Sequence, residues 1–253
     1  MTTTWPYPMW IAHRGAGTLA PENTLAAFRV GAGHGYRAFE CDVKLSADGV
    51  PFLLHDDTLD RTTSGLGVAG RHSWFELSQL DAGGWHGPAF AGEPIPTLEA
   101  IARYVLANGF ALNIEIKPTP GEALSTGQVV AREAAQLWAG AGEPATPPLM
   151  SSFEVESLQG ARDTAEALPR ALLVDELWSG WFEAARDLAC VAVVANHRLL
   201  DADLVTTLHA AGLRALVYTP NEAETVRRLA ALGVDGIITD AVDRLSAATL
   251  ASR

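Results

Sequence analysis

Short apolar runs closed by Gly or Pro alternate with longer segments of helical period along the chain. This alternation limits the fold more than any other feature, because repeated strand–helix units build a parallel sheet that helices must cover. Strands are predicted at Trp10–Ala12, Ala38–Val43, Phe52–Leu54, Ala111–Ile116, Leu149–Ser152, Ala171–Val174, Val191–Ala195, Ala215–Tyr218 and Gly236–Ile238. Helices are predicted at Leu25–Gly33, Leu98–Ala107, Gly121–Ala139, Glu154–Ala167, Asp201–Ala211 and Glu222–Leu232, with Asn23 or Thr24 capping the first. The length of 253 residues matches the roughly 250 of a closed α/β barrel, so the expectation is a single (β/α)8 TIM barrel over 1–253. Phe52–Leu54 is one run too many for such a barrel and is expected as a short pairing arm after the second stave.

From about 57 to 96 the rhythm fails. This stretch is rich in Gly and carries Trp74, Phe75, Trp85 and Phe90, and it is too long for an ordinary connector of roughly 2–6 residues. It is expected to form a cap over the barrel mouth, with a solvent-exposed decoration as the alternative.

Net charge enters when partners are considered. A formal charge of −12 disfavours nucleic acid and anionic membrane surfaces, whose binding needs clustered Lys and Arg. An anionic substrate would therefore need locally supplied positive charge. With only Cys41 and Cys190, no signal-peptide pattern at the N-terminus and no run long enough to span a bilayer, a cytoplasmic protein without membrane insertion is expected. Oligomeric state is not legible.

Strand parity picks out the chemistry, because alternate residues face the same side and a barrel interior is otherwise filled by branched apolar groups. Glu40 and Asp42 share one face while Cys41 points to the helices; Glu115 and Lys117 share one face while Ile114 and Ile116 point outward. Three converging acids raise one another's pKa unless a cation joins them, and all-oxygen ligation suits one Mg2+ or Ca2+. His13 and His55 each stand where an apolar run breaks into a loop, as suits proton transfer near neutral pH. Arg14 and Lys117 supply positive charge for an anionic substrate, or else pair with nearby carboxylates. Glu22 and Asn23 are read as turn and helix-cap groups, and His34, His72, His86, His197 and His209 carry no comparable context.

At these residues the sequence resembles the glycerophosphodiester phosphodiesterases, in particular small cytosolic bacterial members. The matching stretches are His13-Arg14-Gly15, Pro21-Glu22-Asn23-Thr24, Glu40-Cys41-Asp42-Val43, His55-Asp56 with Arg61-Thr62-Thr63-Ser64-Gly65, Ile95-Pro96-Thr97-Leu98-Glu99, Glu115-Ile116-Lys117, Ser152-Phe153 and Gly233 through Asp240. Each is weak alone; the ordered set is specific. The resemblance implies a barrel that hydrolyses glycerophosphodiesters, the deacylated phospholipids, to sn-glycerol 3-phosphate and an alcohol. It implies Glu40, Asp42 and Glu115 as metal ligands and His13 and His55 as the acid–base pair; the resemblance does not divide the two roles, and His13 is taken as base and His55 as acid. Arg14 and Lys117 would hold the phosphate, and Phe153 and Tyr218 would contact substrate. The nucleophile implied is the glycerol hydroxyl adjacent to the ester, giving a cyclic phosphate that water opens. The chain departs from the family at Tyr218, where Trp is common, and at Ala241, where Pro is usual. Two other readings remain open: a metal-dependent aldol-type lyase acting on a sugar phosphate, and a catalytically silent phosphodiester-binding module.

Overall fold

The computed structural model describes residues 5–142 and 145–251. Its strands are β1 (Trp10–Ala12), β2 (Ala38–Leu45), β3 (Pro51–Leu53), β4 (Ala111–Ile116), β5 (Leu149–Ser152), β6 (Arg170–Val174), β7 (Ala192–Asn196), β8 (Arg214–Tyr218) and β9 (Gly236–Thr239). Along the sheet the order is β1-β9-β8-β7-β6-β5-β4-β2, and β1 pairs with β2, so eight parallel staves close a (β/α)8 barrel. β3 is the expected arm, antiparallel to β2 with Val43 opposite Leu53.

Around the staves lie α1 (Leu25–Gly33), α2 (Trp74–Leu77), α3 (Leu98–Ala107), α4 (Ala123–Ala139), α5 (Val155–Thr164), α6 (Trp181–Asp187), α7 (Ala202–Ala210), α8 (Ala223–Leu232) and α9 (Ala247–Ala251). Thr24, not Asn23, caps α1: its hydroxyl accepts the Ala27 N–H at 3.2 Å, satisfying a donor that the first helical turn leaves free. α6, α9 and the single turn α2 lie outside the segments predicted as helical.

The period-2 pattern sorts side chains into two cores. Inward positions such as Ile11, Ala38, Leu149, Leu173, Val194 and Leu216 fill the barrel, and Tyr7 enters from the strand N-terminal end, where its hydroxyl donates to the Pro147 carbonyl at 2.9 Å. The intervening residues, including Cys41, Ile114 and Ile116, pack under the helices. Filling the N-terminal half of the barrel with apolar groups leaves only the C-terminal mouth for polar chemistry.

The insertion between β3 and α3 has its own small core of Phe52, Leu54, Leu59, Ala69, Leu77, Ala82 and Ile95. Trp74 packs on Phe52 with ring centroids 6.4 Å apart, but Phe75 and Trp85 remain 76% and 41% exposed. It flanks the mouth beside β1 and β2: the Ala26 N–H donates to Glu93, and His86 reaches the Thr18 carbonyl. The cavity in the mouth is lined from strand ends and their loops, and beyond His55 and Asp56 the insertion reaches the site through Arg61, which donates to Asp56 and Glu22.

Candidate active site

β2 and β4 run in register with Glu40 beside Asn113 and Asp42 beside Glu115. Since all four have inward parity, the pairing converts two sequence-distant strands into one polar wall. Glu40, Asp42 and Glu115 each present a carboxylate oxygen within 4.8 Å of the others, and all three are buried. Burial, then repulsion from Asp42 and Glu115, drives the Glu40 carboxyl well above its usual range. Burial, again with repulsion from Asp42, pushes Glu115 up to about 7. Burial also opposes ionisation of Asp42, but Arg14, His55 and Lys117 outweigh it and hold that carboxyl low.

One oxygen each of Glu40 and Asp42, Oε1 and Oδ1, is buried without a hydrogen-bond partner. Buried carboxylate oxygens without donors are costly, and a hard divalent cation is the partner that such an all-oxygen set suits. The residues therefore fit a metal ion.

The loop after β1 delivers His13 and Arg14. It turns within a few residues: Arg14 and Gly17 have φ of 51° and 56°, and a Cβ on Gly17 would lie 2.0 Å from the Asp240 carbonyl oxygen. Only glycine allows that approach, which seats the loop against the end of β9. His13 Nδ1 consequently lies 2.5 Å from Asp240 Oδ1, while Nε2 faces Glu40 at 3.8 Å. Asn221 holds Asp240 in turn, donating to Oδ2 at 2.9 Å and accepting its backbone N–H at 2.9 Å.

His55 has a parallel support. Its Nδ1 lies 2.7 Å from Asp56 Oδ1, and Lys117 Nζ approaches Nε2 at 3.4 Å. The Arg61 hydrogen bonds hold Asp56 well below the usual carboxylate range, so it can only accept; the proton in that pair then sits on Nδ1, leaving the Nε2 lone pair towards the cavity. Burial lowers the His55 pKa, and Arg14 and Lys117 add to this against the pull of Asp42.

Arg14 lies over the acids, with its backbone N–H on Glu40 at 3.0 Å, Nη1 on Glu22 at 2.7 Å and Nε 3.4 Å from Asp42. Lys117 Nζ lies 3.3 Å from Glu115. Phe153 and Tyr218 complete the wall edge to face, ring centroids 5.8 Å apart, and the Tyr218 hydroxyl donates to Asp175 at 3.1 Å. His13, Arg14, Glu40, His55, Glu115, Lys117, Phe153 and Tyr218 line one cavity of about 200 Å3, and Asp42 lies behind it within the acid cluster.

All nine residues singled out from sequence are thus brought to one mouth. Asp240, Asn221, Asp56 and Arg61, which orient them, carried no sequence-level role. Asp56 has a usable signal in its adjacency to His55; Asp240 meets His13 only because the barrel closes β9 onto β1. Glu22 and Asn23 also do more than shape a turn. Asn23, at φ 60°, donates to Asp42 Oδ2 at 2.7 Å and accepts the Asp42 N–H at 3.0 Å.

Residues 13–244 match the model of the glycerophosphoryl diester phosphodiesterase family. YhdW of Bacillus subtilis is 37% identical over 238 residues, covering 92% of this chain and 94% of that protein. The glycerophosphodiester phosphodiesterase of Caldanaerobacter subterraneus subsp. tengcongensis is 34% identical over 241 residues, covering 91% of this chain and 93% of its own length. Among solved structures, an Oleispira antarctica phosphodiesterase in complex with the product sn-glycerol-3-phosphate superposes with a TM-score of 0.89 at 32% identity, covering 97% of this chain and 98% of that one. With a family match spanning the whole polar wall and relatives aligned nearly end to end, this chain belongs to the glycerophosphoryl diester phosphodiesterase family.

Proposed function

We propose that the chain hydrolyses glycerophosphodiesters to sn-glycerol 3-phosphate and an alcohol, using one divalent cation and a histidine pair. The observation that carries this reading is the convergence, in one cavity, of a cation-seeking acid cluster, two carboxylate-held histidines and the cationic groups of Arg14 and Lys117. A phosphodiester needs its charge neutralised, one proton removed from the nucleophile and one delivered to the leaving alkoxide.

Glu40, Asp42 and Glu115 would hold the cation, Mg2+ or Ca2+ by the hardness of its ligands. When bound, it would act as a Lewis acid on the phosphoryl oxygens. Arg14 binds the phosphate by its guanidinium fork and Lys117 binds it as a point charge. His55, kept neutral by burial and by Arg14 and Lys117, offers its Nε2 lone pair to the nucleophile's proton. His13, with Asp240 on Nδ1, carries the proton for the leaving oxygen on Nε2. We therefore assign His55 as base and His13 as acid, the opposite of the assignment expected from sequence. Phe153 and Tyr218 form an apolar wall for the carbon skeleton. The alcohol would extend into the adjoining cleft of about 430 Å3, which shares Glu115, Lys117 and Phe153 with the cavity.

Among the described residues no helix is long and apolar enough to cross a membrane. We place the reaction in the cytoplasm because both cysteines are free and buried, as suits a reducing compartment.

The test is release of glycerol 3-phosphate from glycerophosphocholine and glycerophosphoethanolamine by purified protein, with EDTA and with Mg2+ or Ca2+ restored. Metal-dependent release is expected. Folded, metal-supplied protein that releases none from any diester would overturn the reading.

A further inference from the structure

Arg61 stands outside the cavity, on the insertion after β3, and its guanidinium is engaged along both edges. Nε and Nη2 donate to Asp56 Oδ2 and Oδ1 at 2.7 and 2.9 Å. Nη1 and Nη2 donate to Glu22 Oε2 and Oε1 at 2.8 and 2.7 Å. Each carboxylate passes the constraint to a different group of the site: Asp56 accepts from His55 Nδ1 at 2.7 Å, and Glu22 accepts from Arg14 Nη1 at 2.7 Å. His55 and Arg14 are on loops from different strands, and no direct hydrogen bond links them.

We infer that Arg61 is a positioning residue: a double fork through which the insertion sets the His55 tautomer and the reach of Arg14 together. The inference rests on the proposed roles of His55 and Arg14. Two paired forks need a planar group with four suitably placed N–H donors, which a lysine cannot reproduce. Exposed ion pairs are worth little to stability, and the Arg61 side chain is 45% exposed, so its two forks hold geometry more than they hold the fold. The other histidine shows what is specific to this arrangement. Asp240 is braced by the neutral amide of Asn221, whereas the Asp56 charge is offset by a cation. Asp56 can therefore orient His55 without binding it strongly as an imidazolium. Besides Asp56, the charged groups facing that ring are Asp42, Arg14 and Lys117.

The experiment compares wild type with Arg61→Met and Arg61→Lys on three readouts. In the metal-loaded protein, long-range 15N–1H spectra of the imidazoles should show His55 as a single Nδ1–H tautomer in wild type and a mixture in both variants. Values of kcat/KM should fall about 10²-fold in both, the scale of a misplaced reacting group. The acid limb of the pH profile should move upward, because an Asp56 without its cation stabilises the His55 imidazolium. Metal affinity should change by less than about twofold, as the ligands are untouched. Millimolar guanidinium should restore part of the activity of Arg61→Met. An Arg61→Lys enzyme with wild-type kcat/KM and an unchanged His55 tautomer would overturn the inference. So would a loss that merely follows the melting temperature. If wild type released no glycerol 3-phosphate, the proposed function would fail, and the tautomer spectra would still decide whether Arg61 orients His55.

Discussion

The two arcs of the barrel mouth use the same backbone for opposite purposes. On the β1–β2–β4 arc, inward and strand-end positions carry His13, Arg14, Glu40, Asp42, Glu115 and Lys117, held by contacts of 2.5–3.8 Å. Across the barrel, β6, β7 and β8 turn Leu173, Val194 and Leu216 inward, Phe153 follows β5 into the same side of the mouth, and Tyr218, Asp175 and Asn196 are hydrogen-bonded together at the rim. A closed barrel gives both arcs equal access to the mouth, so the division lies in side chains alone. On the proposed function, it separates bond-breaking on the charged arc from shape on the apolar one.

The sharpest break of this comparison comes from the acid cluster. Glu115→Gln or Asp42→Asn should abolish measurable cation binding by calorimetry and lower kcat/KM by at least about 10³-fold, the upper range for losing one electrostatic group. His55→Gln and His13→Gln should each cost about 10²- to 10⁴-fold in kcat while leaving cation affinity intact, which would separate proton transfer from charge neutralisation within the same arc.

A pH series tests the arc's electrostatics. The Glu115 carboxyl is pushed up to about 7 by burial, so in the metal-free protein a proton competes with the cation below that pH. Cation affinity should therefore rise with pH through about 7, with proton release on binding. The stability that this group contributes as its protonated form is complete below the ordinary glutamate pKa and is lost as pH rises through about 7. Added cation should accordingly raise the melting temperature more at pH 8 than at pH 6.

Smaller effects are expected on the apolar arc. Phe153→Ala should raise KM by less than about tenfold, since the aromatic contact it removes is worth about 1 kcal/mol, and should alter the ratio of rates between alcohol headgroups. Tyr218→Phe loses the hydroxyl that donates to Asp175 and the Val174 carbonyl and should change kcat by less than about twofold, with about 1 kcal/mol of stability lost. A large kcat effect from either variant would erase the division between the arcs.

The same division explains what the sequence could reveal. Parity along β2 and β4 exposed Glu40, Asp42 and Glu115 because charged residues on an inward face contradict the apolar filling of a barrel. β1 and β3 ended visibly where apolar runs broke, which located His13 and His55. Asp240 is different: it needs the closure of β9 onto β1, a contact between residues 227 apart in sequence. Arg61 needs a contact across 39 residues between two irregular loops, for which no period exists. α6 escaped for a local reason. Its N-cap is Gly180 in the left-handed region with no side-chain cap bond, and seven residues are too few to display a helical period.

The most direct test of the account titrates EDTA-treated protein with Mg2+ or Ca2+ and follows calorimetric binding and glycerol 3-phosphate release from glycerophosphocholine on the same samples. A single cation site is expected, lost in Glu115→Gln, with release rising in proportion to its occupancy. Release that persists without the cation, or a site unaffected by Glu115→Gln, would contradict it.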